Sequence, residues 1–425
     1  MNEAYHILSK KNSSELAKLV AQNGQMLMPM VELIEQSQIA VDDLLEDLGR
    51  ATLEAVLLIS AANVAGENHQ GRMGGSVLRH GSQAGIVSLS NRKVRVQKPR
   101  LRERGGGKGK EVAVAAYEAM QADDRLGANI LRVMMRGVST RNYREILPEA
   151  CECIGVSKSS VSRHFALASE EECRKLLERR FDDTDLLVIY IDGMVFADHC
   201  VIASVGVDRT GAKHVLGVME GATENTTVVK GLLESMVERG IKPDRKRLFV
   251  IDGAKALRAG IDAVYGQNNP VQRCRKHKER NVAGYLPTDM GEYAVATMRA
   301  AWKLPADEGT VRLKTFAESI SKQYPGAAAS VLEGLDEMFT VNRLGLPKSL
   351  CRGLITTNII ESSISGVKGR THRVKNWQDG SMVKRWAASS LLETEKRYRK
   401  IMGFRDLWML DAALKEEVDN SEKAA

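Results

Sequence analysis

The chain has 425 residues, 43% hydrophobic and 27% charged, with 62 Lys and Arg against 54 Asp and Glu, a formal net charge of +8. This composition excludes a disordered chain, and the length exceeds what one ordinary core organises, so two to four domains are expected. The six cysteines (Cys151, Cys153, Cys173, Cys200, Cys274 and Cys351) form no disulfide framework, the N-terminus has no apolar signal core, and no apolar run reaches membrane-spanning length; reduced thiols and a cytoplasmic setting are expected.

Residues 1–65 read as helices. Leu16, Leu19, Val20, Leu27, Met30, Leu33 and Ile34 recur near helical spacing, Pro29 breaks that run, and 39–63 carries the pattern more strongly. Over 66–110 glycine becomes frequent, and the short alternations Ile86–Leu89 and Lys93–Val96 predict a small β-hairpin. Between Arg72 and Lys110 stand eleven Lys and Arg and one acid, Glu103. Such a block suits phosphate contacts, with Arg92, Lys93, Arg95, Lys98, Arg100 and Arg102 as candidates; a solvated basic arm is the plainer alternative. Residues 1–110 are therefore taken as a dimerisation and DNA-binding region.

Residues 111–180 return to helical patterns and contain a candidate helix-turn-helix. Ser139 caps its first helix, Gly155-Val156 makes the turn, and Ser157 caps a second helix presenting Lys158, Ser159, Ser160 and Arg163. Pro148 sits awkwardly in the first helix, and a purely structural helix pair remains open. Over 181–285 the pattern changes to strands: LLVIYIDGMVF, VIASVGVDRTG and KHVLGVMEGA in succession, then an amphipathic helix, then RLFVIDGAKAL. Three close strands form an antiparallel meander, and the helix returns the chain to a parallel strand, an α/β mixed sheet of ribonuclease-H-like type. Residues 286–345 read as helices only, 346–410 as largely helical and basic, and 411–425 as an acidic tail.

Asp192 and Asp252 each follow an apolar strand and precede glycine, in YIDG and VIDG. Two such units in one sheet bring their carboxylates together, and like charges at that distance repel unless a cation lies between them. Oxygen ligands select hard ions, here two Mg²⁺ or Mn²⁺, whose common use is phosphoryl transfer. Asp-Gly is also an ordinary turn after a strand, and Asp183, Asp185, Asp198 and Asp208 are nearby alternatives. Glu361 is the best third ligand: it lies early on a predicted helix, with Lys368 and Arg370 about two turns on and Arg373 and Lys375 beyond, all suited to phosphates.

Taken in order, YIDG, VIDG, Cys274-x-x-His277 with Arg280-Asn281, and Thr356-Thr357-Asn358-x-x-Glu361 resemble the Mutator-type bacterial insertion-sequence transposases. The resemblance covers roughly residues 130–400. It implies a DDE enzyme with a ribonuclease-H-like core and an all-helical insertion between the second Asp and the Glu, here 361 − 252 = 109 residues apart. It implies that Asp192, Asp252 and Glu361 are catalytic and hold the metal, and that Cys274, His277, Arg280, Asn281 and Asn358 form a motif beside the site. It also gives the basic block and the helix-turn-helix one purpose, holding the element's terminal inverted repeats, and a pair of ends calls for at least a homodimer. Trp302, in the insertion, is a candidate to stack on a displaced base, with core packing as the alternative. Cys274 and His277 have the spacing of a zinc-ligand pair, but no second pair sits close by. A ribonuclease-H-like nuclease or resolvase, and a non-catalytic DNA-binding regulator, are the rival readings.

Overall fold

The computed structural model describes residues 50–66, 75–88, 93–105, 110–121, 125–138, 158–223 and 225–423. Arg92, the helices expected over 1–49 and the first helix and turn of the helix-turn-helix (139–157) lie outside the described residues. The chain divides into two units, Met1–Ile130 with Thr140–Ser162, and Leu131–Ser139 with Arg163–Ala425.

In the first unit, helix α1 (50–65) packs on a ribbon of β1 (Val77–Ser88) and β2 (Lys93–Glu103), extended by the short β3 (Glu111–Val112) and followed by α2 (Ala115–Gln121). The period of two explains the packing. Val94, Val96 and Leu101 turn inward to join Val87, Val114, and Leu57 and Ala61 of α1, while Arg95 and Gln97 face out. The ribbon is much longer than the two short alternations predict, because β1 passes through Gly81 at φ +81° and shifts register between Arg79 and Ser82. A bulge of this kind breaks the alternation without ending the pairing. Helices α3 (Arg125–Met135) and α4 (Lys158–Glu178) each contain residues of both units.

The second unit is built on a five-stranded mixed sheet. Strands β4 (Leu186–Phe196), β5 (His199–Asp208) and β6 (Lys213–Gly221) form an antiparallel meander, and α5 (Thr226–Glu238) carries the chain to β7 (Leu248–Ile251). After α6 (Lys255–Tyr265) comes β8 (Val271–Arg273), then α7 (Arg275–Ala283). The sheet order is β6-β5-β4-β7-β8, with β4, β7 and β8 parallel. Short turns suffice for the antiparallel pairs, whereas the parallel pairs need helical crossovers. The three-residue β8, with Gln272 and Arg273 in it, has no apolar run and is not legible as a strand in the sequence.

Both faces of this sheet are buried, which is why its strands read as continuous apolar runs. One face, with Val188, Tyr190, Met194, Leu248 and Val250, packs under the later helices; the other, with Ile189, Ile191, Phe249 and Ile251, packs on α5 and α6. Helices α8 (Thr288–Ala301), α9 (Ala306–Ser321), α10 (Pro325–Leu332) and α11 (Thr340–Arg343) follow, and the first three close around Met298, Trp302, Leu313, Phe316 and Phe339. Buried cations join this helical region to the sheet edge: Arg275 donates to the Met338 carbonyl at 3.0 Å, and Lys278 to those of Ser330 and Glu333 at 2.6 and 2.8 Å. Helices α12 (Lys348–Leu354), α13 (Asn358–Thr371), α14 (Gly380–Glu395) and α15 (Leu407–Lys423) complete the unit. Ile360, Ile364 and Val367 of α13 enter the first face's core. No described helix is long and apolar enough to cross a membrane.

Candidate active site

Asp192 does not end its strand, as the YIDG pattern suggests. It lies within β4, whose antiparallel pairing with β5 continues to Phe196 opposite His199. What ends there is the parallel pairing with β7, whose last pair is Tyr190 with Val250. Two residues beyond that pair stand Asp192 on one strand and Asp252 just after the other. By the period of two they fall at matching positions on the same side, and the charge of Asp252 acts on Asp192. That side is the one on which Tyr190 and Val250 are buried, the face covered by α13.

Asp252 opens a tight turn into α6: its Oδ1 accepts from the Ala254 N–H at 2.8 Å. Gly253 adopts φ +110°, a conformation costly for any residue with a Cβ, so the Asp-Gly pair is a structural need of this turn. Asp192 accepts from the Gly193 N–H at 2.9 Å and is only 8% exposed. Burial pushes its carboxyl up to about 7, the neighbouring charge of Asp252 adds to the rise, and Gly193 and His277 oppose it. The charge of Glu361 contributes in the same direction as that of Asp252.

Glu361 arrives from α13. Thr357, buried at the start of this helix, donates its hydroxyl to Glu361 Oε1, and its backbone N–H reaches Cys274 Sγ at 3.4 Å. His277 Nδ1 lies 3.4 Å from Thr357 Oγ1 and 3.7 Å from Glu361 Oε1. Cys274 in turn donates its N–H to the Ile251 carbonyl at 2.7 Å, immediately before Asp252. One short chain of contacts thus links the third carboxylate to the strand that carries the second. Burial favours the neutral Cys274 thiol, but hydrogen bonds from His277 and Thr357 outweigh it and lower its pKa; the bond to Cys274 raises that of His277. The Thr-Thr-Asn motif contains Thr357, but nothing local in the sequence reveals its role as a bridge.

Among the described residues, no lysine or arginine lies within ion-pair distance of Asp192, Asp252 or Glu361, and His277 is the only cationic group against them. A second donor set overlaps the first: Cys274 Sγ, a His277 ring nitrogen and a Glu361 oxygen lie within 4.8 Å of one another.

Comparison with known proteins bears on this arrangement. A model of the family "Transposase, Mutator family" matches residues 22–400. The chain belongs to the Mutator family of transposases. It is similar to the transposase for insertion sequence element IST2 of Acidithiobacillus ferrooxidans, 27% identical over 217 residues, 51% of this chain and 72% of that one. It is similar also to those for ISRM5 of Rhizobium meliloti (26% over 299 residues, 66% and 71%) and IS905 of Lactococcus lactis (25% over 346 residues, 79% and 82%).

The remaining candidates fall into separate groups. In this family member Arg280 and Asn281 are exposed on α7, one turn beyond His277, and Asn358 is exposed at the first position of α13. Lys368, Arg373 and Lys375 are exposed, but Arg370 is turned inward, donating to Gly366 O and Thr394 Oγ1 at 2.8 and 2.9 Å, so it ties α13 to α14. On the ribbon, Lys93 is half-buried and Arg95 exposed, Lys98 lies over the Tyr117 ring at 4.1 Å, and Arg100 and Arg102 share Glu111. Lys158, Ser159, Ser160 and Arg163 occupy the first two turns of α4, with Val161 buried between them.

Trp302 requires a correction. It is 6% exposed and packed in the insertion's core, with the Arg275 guanidinium 5.3 Å from its ring. A base cannot reach a face already covered, so this conformation does not offer Trp302 for stacking. Periodicity could not decide this, because Trp302 caps the C-terminus of α8, where the helical repeat ends.

Proposed function

We propose that the chain is a DDE transposase that cleaves and joins DNA at its element's terminal inverted repeats. The observation that carries this reading is that Asp192, where the β4–β7 pairing ends, feels the charges of both Asp252 and Glu361, with no lysine or arginine among the described residues at ion-pair distance from the three. Buried carboxylates are ordinarily paired or protonated, and Asp192 is raised first by its burial and then by the charges of Asp252 and Glu361, which a bound cation would offset. The donor chemistry fits a hard divalent ion, so Asp192, Asp252 and Glu361 are the residues that would hold two Mg²⁺ or Mn²⁺. When bound, such ions supply activation of the attacking water or 3′-hydroxyl and stabilisation of the leaving oxygen.

The protein's own part is placement. The parallel register of β4 and β7 sets the two aspartates level, α13 brings Glu361 from above, and the Thr357–Cys274–His277 contacts restrain it. Arg280, Asn281 and Lys368 are exposed on the helices that flank the site and suit phosphate contacts. The sheet order, with three antiparallel strands and two parallel ones, supports a ribonuclease-H-like core. The ribbon cations and the first turns of α4 are assigned to the element ends, in a homodimer or larger assembly acting in the bacterial cytoplasm.

The test is a strand-transfer assay with Mg²⁺ and pre-cleaved element-end DNA. Joined product from the wild-type chain and none from Glu361→Gln, with end binding retained, is expected. Cleavage without joining would favour a nuclease or resolvase, and end binding with no chemistry a regulator.

A further inference from the structure

The region after α14 carries an exposed surface both basic and aromatic. From Arg399 to Trp408 the chain makes a turn and a short 3-10 helix (Phe404–Asp406) before α15. Met402, Phe404 and Trp408 are exposed at 56%, 37% and 65%. Phe404 lies between two cations, Lys400 Nζ at 4.9 Å and the Arg405 guanidinium at 6.0 Å from its ring. Arg399, Lys400 and Arg405 are themselves exposed, and among the described residues none lies within ion-pair distance of a carboxylate.

Neighbouring acids among the described residues are engaged elsewhere. Glu395 pairs with Arg179 at 2.7 Å, Asp406 accepts from Ser349 Oγ at 2.9 Å, and Asp411 is 4% exposed and held by Arg209 and Lys415. The turn is also anchored: Ile401 donates its N–H to the Gly211 carbonyl at 2.9 Å, and Gly403, at φ +74°, lies against the backbone of Leu350, where a Cβ would clash. An anchored turn thus exposes three cations and Phe404, and Trp408 is exposed in the first turn of the helix that follows. Solvated basic faces need no aromatics; aromatic, Met and Arg side chains also suit protein interfaces, but three cations with no carboxylate partner among the described residues favour a polyanion. Cations around exposed rings match a polyanion with sugar and base surface between its charges.

We propose that this turn is a second DNA-contacting surface, on which Arg399, Lys400 and Arg405 take backbone phosphates of duplex DNA while Trp408 and Phe404 lie against the sugars. It rests on the transposase reading, and it is placed largely beyond the segment that matches the family, which ends at residue 400. The contact is to backbone and carries no sequence preference.

The test uses the full chain and a random-sequence duplex. Trp302 and Trp386 are 6% and 5% exposed, so iodide quenching of tryptophan emission reports mainly on Trp408, with Trp408→Phe as the control for the half-buried Trp377. Duplex is expected to shield the wild-type emission from iodide and to leave that of Trp408→Phe unchanged. The triple variant Arg399→Gln, Lys400→Gln, Arg405→Gln should bind random duplex about tenfold or more weakly at low salt, with a log–log salt slope shallower by about 2 to 3. Its melting temperature checks that it folds. Unchanged shielding, affinity and slope, with the wild-type chain still binding duplex, would overturn this surface alone. Shielding that rises with protein concentration without DNA would overturn it in favour of contact between two copies. A wild-type chain that binds no DNA would sink this surface and the transposase reading together.

Discussion

The second unit contains two clusters of buried acid that contrast sharply. Around Asp411, which is 4% exposed, Arg209, Arg245 and Lys415 converge, and Arg245 also reaches Asp185 at 3.1 Å. Burial alone would raise the Asp411 carboxyl, but hydrogen bonds from Lys415 and Arg245 outweigh it and hold the group below its ordinary range. Around Asp192, which is 8% exposed, the nearest charges are two more carboxylates and one histidine, and the carboxyl rises to about 7. The outcomes are opposite because Asp192 is enclosed more deeply and lacks the cationic hydrogen-bond partners that Asp411 has. The first cluster is complete within the protein and serves stability. On the proposed reading, the second takes its cation from outside.

The sharpest way to break this contrast is to neutralise each centre. Asp192→Asn should lower strand transfer by about a thousandfold or more and abolish the thermal stabilisation that Mg²⁺ confers, as measured by joining assays and melting with and without the ion. Retained Mg²⁺ stabilisation would show that Asp192 is no ligand. Next in size is Thr357→Val, which leaves Glu361 in place but removes its restraint. About a 10- to 100-fold loss of activity is expected, together with weaker Mn²⁺ binding read by electron paramagnetic resonance, and Thr357→Ser should recover most of both. Equal loss in Val and Ser variants would point to packing instead.

Asp411→Asn should cost about 1 to 2 kcal/mol of stability in chemical denaturation, because Arg245 and Arg209 lose the buried carboxylate and keep only the partly exposed Asp185. The smallest effect concerns pH. The native Asp192 holds its proton up to about 7 while the unfolded chain releases it near 3.8, so between these values the native state binds more protons and stability falls as pH rises. Asp411 has the opposite sign: its contribution is present above its ordinary range and is lost as pH falls through the lowered native value. In chelator, Asp192→Asn should remove the loss between about pH 4 and 7 and leave the protein up to a few kcal/mol more stable at pH 8. A variant with the wild-type pH profile would show that Asp192 is ionised without a metal.

The pair of basic regions shows why charge counts mislead. The ribbon block is dense in Lys and Arg and prominent in the sequence, yet Arg100 and Arg102 share Glu111 and Lys98 covers Tyr117. The segment 396–405 is equally rich in Lys and Arg, yet Arg399, Lys400 and Arg405 have no carboxylate partner among the described residues. Availability depends on what folds next to each group, which composition does not record.

The long apolar runs of β4, β5 and β7 and the strand-Asp-Gly pattern of Asp192 and Asp252 were determined by local sequence, because a strand buried on both faces has no polar alternation to obscure it. The ribbon was legible only in part, because its bulge interrupts the alternation, and β8 was hidden by its polar residues. Tertiary structure alone decided that Asp192 lies within its strand and level with Asp252, that Thr357 bridges Glu361 to Cys274, and that Trp302 is covered. Each depends on contacts between residues distant in the chain, set by strand register and helix packing, and local patterns carry no information about which distant partner arrives.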